Sequence, residues 1–488
     1  MNNLFYRPKN AWVGDLIPYY EDGVYYAFYL YDPRNRKDEY AEETTWHLVT
    51  TKDFVKLTDH GEAISRGNDS MPNRNIYTGS VVKDKNGKYH AFYTAFNEDI
   101  RINGKSIQSV MKADGPDLYH LETDRNFLLR ADDDLYEPYD WRDPYVFWSE
   151  EDGCYKMLLA ARRKEKGSRR GGCIALCRSY DLENWTYEKP FYEPAAYITM
   201  ECPEVFEMEG WYYLVFSTFS DSFTTHYRKS RSLKGPWIIP EDDVFDNRAN
   251  YAIKTAGYGV ERHAFGWIPS KKGDTDLGDW EWGGTMTFHK LAQDAETGDL
   301  YAVPTDACTG IFCKKTEISA PVLYHASLRE GEAEMVLKTE SELGAVLYDI
   351  PEGDFSMEIS FECDGRHTFG IALHVDKGLE EGYFLKIDPC AGTIAWDLWP
   401  RAEQGRYQWQ IAGDIPYRIE TERTFENTGK FKLLLIREDD ICVVYLNDKV
   451  ALSNRLYDYK GGKAGLFLSQ ETMVIKEFSF MVKGDPVL

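Results

Sequence analysis

A chain of 488 residues with 57 basic and 81 acidic side chains carries a formal charge of −24. An excess of that size repels phosphate backbones and anionic lipid, which argues against nucleic-acid and membrane-surface partners. Aromatic residues make up 15% of the chain, more than a core alone uses, and amphipathic rings on a concave surface suit ligands with CH and OH faces, such as small carbohydrates. The amino terminus, Met-Asn-Asn-Leu-Phe-Tyr-Arg-Pro, has no basic segment leading into an apolar stretch, so no secretory signal is expected.

One module recurs along the first 300 or so residues: a strand, a glycine turn and an aromatic strand. Its copies run Ile17 to Tyr29, Ser80 to Tyr93, Tyr145 to Leu159 and Pro203 to Phe216, with a weaker fifth from Asn250 to Trp267. Their turns fall at Gly23, Gly87, Gly153 and Gly210, where Asp-Gly, Asn-Gly and Glu-Gly between alternating strands signal hairpins. A third strand and a second turn of similar wording follow each, such as Ser179-Tyr-Asp-Leu-Glu-Asn-Trp185 and Ser230-Arg-Ser-Leu-Lys-Gly-Pro-Trp237, and a fourth strand should complete the unit. Five units of four antiparallel strands describe an all-β, five-bladed β-propeller over residues 1–310. From Pro321 the strands shorten and alternate more strictly, as in Phe431 to Ile436 and Ile441 to Leu446, which predicts a β-sandwich domain over 311–488.

Residues just before each blade's first strand should ring one mouth of the central channel. Three of these positions carry acids: Asp15 before Ile17, Asp143 before Tyr145 and Glu201 before Pro203. In the second blade the matching turn is Tyr77-Thr-Gly-Ser80. Carboxylates gathered in this way suit glycoside hydrolysis, in which one carboxyl protonates the leaving oxygen and another attacks the anomeric carbon or activates water. The third can hold hydroxyls.

The residues Trp141-Arg142-Asp143-Pro144 and Glu201-Cys202-Pro203 resemble the Arg-Asp-Pro and Glu-Cys-Pro motifs of glycoside hydrolase family 32, the invertases, levanases, inulinases and sucrose-6-phosphate hydrolases. Further echoes are Thr78-Gly79-Ser80, Tyr93-Thr-Ala95 followed by Gln108, Trp282-Gly-Gly284 and Val443-Val-Tyr-Leu-Asn-Asp448, in the family's order along nearly the whole chain. The resemblance implies retaining hydrolysis of β-fructofuranosides through a covalent fructosyl-enzyme. By position, Asp15 would be the nucleophile, Asp143 the transition-state stabiliser and Glu201 the general acid/base. Trp12, Trp46, Thr78, Ser80, Gln108, Arg142 and Trp282 are the expected substrate-binding residues, and Cys202 is expected to pack behind the acid.

The chain departs from the family at its first motif. Where the family writes Trp-Met-Asn-Asp-Pro-Asn-Gly, this sequence has Trp12-Val-Gly-Asp15-Leu-Ile-Pro18, so both amides beside the aspartate are gone and the sugar pocket must be rebuilt. Two rivals follow from that loss: an inverting arabinofuranosidase- or xylosidase-like relative, and a sugar-binding propeller without catalysis. The basic run from Arg162 to Lys166, with Arg169 and Arg170, reads as a solvated turn or a site for an anionic leaving group. Trp396, Trp399 and Trp409 read as packing or a secondary sugar site. Nine cysteines without a CxxC pair fit reduced thiols in a cytoplasm, and ten histidines show no zinc spacing. The expectation is a cytoplasmic protein with no metal or other cofactor. Oligomeric state is not legible.

Overall fold

The computed structural model describes residues 3–34, 43–164, 169–400 and 423–484. Among them, strands dominate and the single α-helix is Asp306–Ile311. Blade one is built from Trp12–Glu21, Val24–Asp32, Thr45–Thr51 and Thr58–Ile64, and blade two from Asn75–Lys83, Tyr89–Ile102, Lys105–Gly115 and Glu122–Leu129. Blade three follows with Tyr136–Ser149, Cys154–Arg163, Gly172–Ser179 and Thr186–Tyr187, and blade five with Tyr251–Tyr258, Glu261–Lys271, Trp280–Gln293 and Leu300–Val303. The four predicted turn glycines have φ of 78°, 87°, 62° and 75°, a region a side chain disfavours.

Blade four corrects the expectation of four strands per unit. It has Glu201–Met208, Trp211–Thr218 and Thr224–Ser230, and beyond them only isolated bridges, Lys229 to Ile238 and His226 to Val244. Pro236 and Pro240 flank that edge, and proline brings no N–H to a ladder. The ring closes between blades five and one, where Val13 pairs with Gly284 and Tyr6 exchanges backbone hydrogen bonds with Met286 at 3.2 and 2.8 Å.

The first strand of every blade carries a bulge at the same place. Gly14 and Asp15 together oppose Leu30. Tyr77 and Thr78 oppose Thr94, Asp143 and Pro144 oppose Leu159, Cys202 and Pro203 oppose Phe216, and Ala252 and Ile253 oppose Gly266. A bulge leaves one residue unpaired and re-aims its neighbours. That accounts for the Asp-Pro and Cys-Pro wording, because Pro144 and Pro203 stand where no ladder N–H is needed. Asp143, Cys202 and Ala252 take φ of 57°, 50° and 53°, costly for side-chain-bearing residues and held by the packing around them.

Two seven- and eight-stranded sheets follow the propeller and enclose an apolar core that includes Phe361, Leu385, Trp396, Leu435 and Phe480. One of these sheets turns its outer face to blade five. There the buried Arg455 donates to the carbonyls of Ile268 at 2.9 Å and Pro269 at 2.7 Å, and Ser453 donates to Asp246 through its backbone N–H and its hydroxyl.

Candidate active site

The five bulges bring Asp15, Asp143 and Glu201 to one end of the channel. The acids are not at equivalent positions, as the repeat alone suggested: Glu201 precedes its bulge, Asp143 is the first bulge residue and Asp15 the second. Each carboxylate therefore approaches the centre from a different point of the same kink.

Asp15 accepts hydrogen bonds from the Thr78 hydroxyl on Oδ2 at 2.5 Å and from the Trp267 indole N–H on Oδ1 at 3.0 Å. Asp143 accepts the backbone N–H of Cys202 at 2.9 Å and gives its own to Thr94 Oγ1 at 2.7 Å. The Cys202 thiol lies 3.8 Å from a carboxylate oxygen of both Asp15 and Asp143. Burial and these carboxylates push that thiol far above its ordinary pKa, so it is a packing group and not a nucleophile. Glu201 accepts from Arg142 Nη2 at 3.0 Å on one oxygen and from the Tyr251 hydroxyl at 2.7 Å on the other.

Arg142 is the cation among these acids. It bonds Asp140 and Glu201, stands 3.9 Å from Asp143, and reaches Gln108 at 3.2 Å and Thr199 at 3.3 Å. Burial works against its charge, but Asp140, Glu201 and Asp143 more than offset this and its pKa is raised. Burial pushes the Asp15 carboxyl up to about 6, with Asp143 and Glu201 adding to the rise and Thr78 and Trp267 opposing it. Asp143 is raised by burial too, against the pull of Arg142.

A native pKa above the unfolded value means that the folded chain holds the Asp15 proton more tightly. Stability then falls as pH rises from about 4 to about 6, and the ionised group opposes folding above that window. The melting-temperature difference between Asp15→Asn and the parent should shift in favour of the variant as pH rises from about 4 to about 7. A difference that does not change with pH in thermal unfolding would contradict the burial argument.

Of the expected substrate-binding residues, Thr78, Gln108 and Arg142 join the acid cluster through the bonds above. Trp282 is 37% exposed and packs edge-on against Trp267 at 6.1 Å, while half-buried Trp12 lies under the Arg34 guanidinium at 4.0 Å. Two expectations are corrected. Trp46 is fully buried and donates its indole N–H to the Tyr77 carbonyl at 2.9 Å. Buried Ser80 donates to the Pro144 carbonyl and accepts from the Val146 N–H, tying blade two to blade three. Ser80 faces inward because the bulge at Tyr77 and Thr78 resets the alternation of sides along its strand.

Tyr251, Trp267, Thr94 and Asp140 were not legible as site residues. The signal that could have found Tyr251 is the weak fifth repeat: by bulge register it is the counterpart of Glu201 and Arg142. Arg162 is engaged with Asp140 at 2.8 Å and Glu137 at 3.6 Å, and Arg170 donates to the Ala196 carbonyl at 3.1 Å. Trp396 is buried and Trp399 packs on Phe384 and Phe467. Lys166 and Trp409 lie outside the described residues.

With three acids, a shared arginine and the Asp-Pro and Cys-Pro bulges in place, residues 6–304 match the model of the glycosyl hydrolases family 32 N-terminal domain. The chain belongs to glycoside hydrolase family 32. Family relatives include the levanbiose-producing levanase of Bacillus subtilis, 28% identical over 201 residues, which cover 40% of this chain and 34% of that protein. The sucrose-6-phosphate hydrolase of Vibrio alginolyticus is 27% identical over 203 residues, 41% of this chain and 38% of that protein. The chain thus spans well under half the length of these relatives, whereas the extracellular exo-inulinase of Meyerozyma guilliermondii aligns over 96% of this chain and 92% of its own at 24% identity. Among solved family 32 folds, the sucrose-6-phosphate hydrolase from Lactobacillus gasseri superposes with a TM-score of 0.69 at 16% identity, covering 97% of this chain and 91% of its own. The exo-inulinase from Aspergillus awamori does so at 0.70 and 15%, covering 99% and 98%.

Proposed function

We propose that this family 32 chain is a retaining glycoside hydrolase that cleaves β-fructofuranosidic bonds in small fructose-containing sugars. The observation that carries the reading is the convergence of Asp15, Asp143 and Glu201 from three blades, with Arg142 set between the second and third. Residues 1–310 form the catalytic domain in this reading and 311–488 the sandwich domain.

Asp15, held by two donors at a fixed angle, attacks the anomeric carbon while protonated Glu201 gives its proton to the leaving oxygen. The C–O bond to the leaving sugar breaks as the ester bond to Asp15 forms. Arg142 and Tyr251 stand ready to receive the carboxylate this leaves on Glu201. That carboxylate then takes a proton from water, which attacks the same carbon and frees Asp15. Asp143 remains to hold sugar hydroxyls and face the positive charge that develops on the ring. A cytoplasmic setting belongs to the same proposal, supported by nine cysteines without a CxxC pair.

The test is a panel of sucrose, sucrose 6-phosphate, kestose, levan oligomers and aryl arabinofuranosides, read by released monosaccharide. Fructose release is expected, with weak activity on sucrose because the two amides are missing. Pentose release without fructose would overturn the substrate class, and ligand binding without turnover across the panel would overturn catalysis. The acid limb of kcat/KM should fall near pH 6, to which burial raises the Asp15 carboxyl; a limb near pH 4 would contradict that upward shift.

A further inference from the structure

We propose that Trp267 is a positioning residue for the nucleophile, its indole N–H supplying in this chain the hydrogen bond that an amide beside the aspartate would otherwise give. The proposal rests on the reading of Asp15 as the attacking carboxylate.

Position 14 has no room for an amide. A Cβ on Gly14 would lie 2.4 and 2.6 Å from the Trp282 ring and 3.1 Å from Leu30, so the ring fills the space that a side chain would take. The donor must come from elsewhere, and Trp267 Nε1 meets Asp15 Oδ1 at 3.0 Å from the neighbouring blade. Its ring is buried and wedged between Trp282, 6.1 Å away edge-on, and Tyr251, 6.2 Å away at 79°. Immediately after it, the carbonyls of Ile268 and Pro269 are gripped by Arg455 of the sandwich. An indole fixed on three sides loses little entropy on making its bond.

Tyr251 pairs directly with Trp267 across the blade-five hairpin, and its hydroxyl donates to Glu201 at 2.7 Å. One cross-strand pair therefore touches the nucleophile with one member and the general acid/base with the other. Blade five lies between blades one and four in the ring, so this pair spans the gap between the two carboxyls and sets their separation. Carboxyl separation is what distinguishes retention from inversion. A donor to the ionised carboxylate also favours the charged form that attacks.

Two measurements test this. In Trp267→Phe the ring stays and the N–H goes: kcat should fall about 10- to 100-fold, the worth of a charge-assisted hydrogen bond, and the acid limb should move upward from about 6. A variant that melts earlier but keeps its acid limb and kcat would show a packing role only and overturn the proposal. The second measurement keeps the indole N–H at position 267. In protein labelled with 5-fluorotryptophan, one fluorine resonance should titrate with a midpoint near pH 6 and lose that titration in Asp15→Asn. No titrating indole in an active enzyme would overturn the positioning role. A titrating indole in a protein that hydrolyses no fructoside would support the contact and overturn the fructosidase reading.

Discussion

Replacing Asp15 or Glu201 with alanine should lower kcat/KM on fructosides by about four orders of magnitude, the scale seen when a covalent nucleophile or its proton partner is removed. Asp15 contributes from blade one and Glu201 from blade four, and neither lies in the apolar core clusters, so both variants should fold. Their signatures differ. Without Asp15 no ester forms on the enzyme, and azide seated in the space it leaves should give fructosyl azide of inverted configuration. Without Glu201 a fructoside with an acidic aglycone can still form the ester on Asp15, and azide, which needs no general base, should release it as fructosyl azide of retained configuration. Near-parental turnover in either variant would contradict the assignment. Azide rescue of the Asp15 variant with a retained product would instead exchange the roles.

The second large effect belongs to Arg142. Its Nη1 serves Asp140 and Gln108, its Nη2 serves Glu201 and Thr199, and its Nε stands beside Asp143. Arg142→Met leaves three buried or half-buried carboxylates facing one another without a cation, and removing one partner of a buried ion pair costs about 3–5 kcal/mol. The expected result is a large drop in melting temperature together with loss of activity. Arg142→Lys keeps the charge but cannot present a planar fork to four partners, so it should recover stability in part while kcat stays at least about a hundredfold down. Thermal unfolding and kinetics of the two variants check this. Full activity in Arg142→Lys would show that charge alone matters.

The blade repeat was legible because Asp-Gly, Asn-Gly and Glu-Gly turns need positive φ and so leave a mark in the sequence. Arg142-Asp143-Pro144 and Glu201-Cys202-Pro203 were legible for a related reason, since a proline marks a bulge that has no use for an N–H. The bulge register was not legible. A one-residue offset among Asp15, Asp143 and Glu201 leaves no compositional trace. Blade five was the least readable, since Tyr251-Ala252-Ile253 carries neither proline nor acid, yet it supplies the hydroxyl on Glu201 and the indole on Asp15. The missing fourth strand of blade four could have been anticipated from Pro236 and Pro240. The loss of amides around Asp15 was visible from the first motif, but its compensation by Trp267 was not, because the two residues lie on blades that meet only when the ring closes.

Retaining hydrolysis through Asp15 requires a covalent fructosyl ester on its carboxylate. Glu201→Gln should form this ester from a fructoside with an acidic leaving group and hydrolyse it slowly, because no base activates water. Acid quenching, proteolysis and mass spectrometry should then find the peptide containing Asp15 heavier by one anhydro-hexose, with fragmentation placing the addition on Asp15. Product release at an undiminished rate with no modified peptide, or the modification on Asp143, would contradict the account.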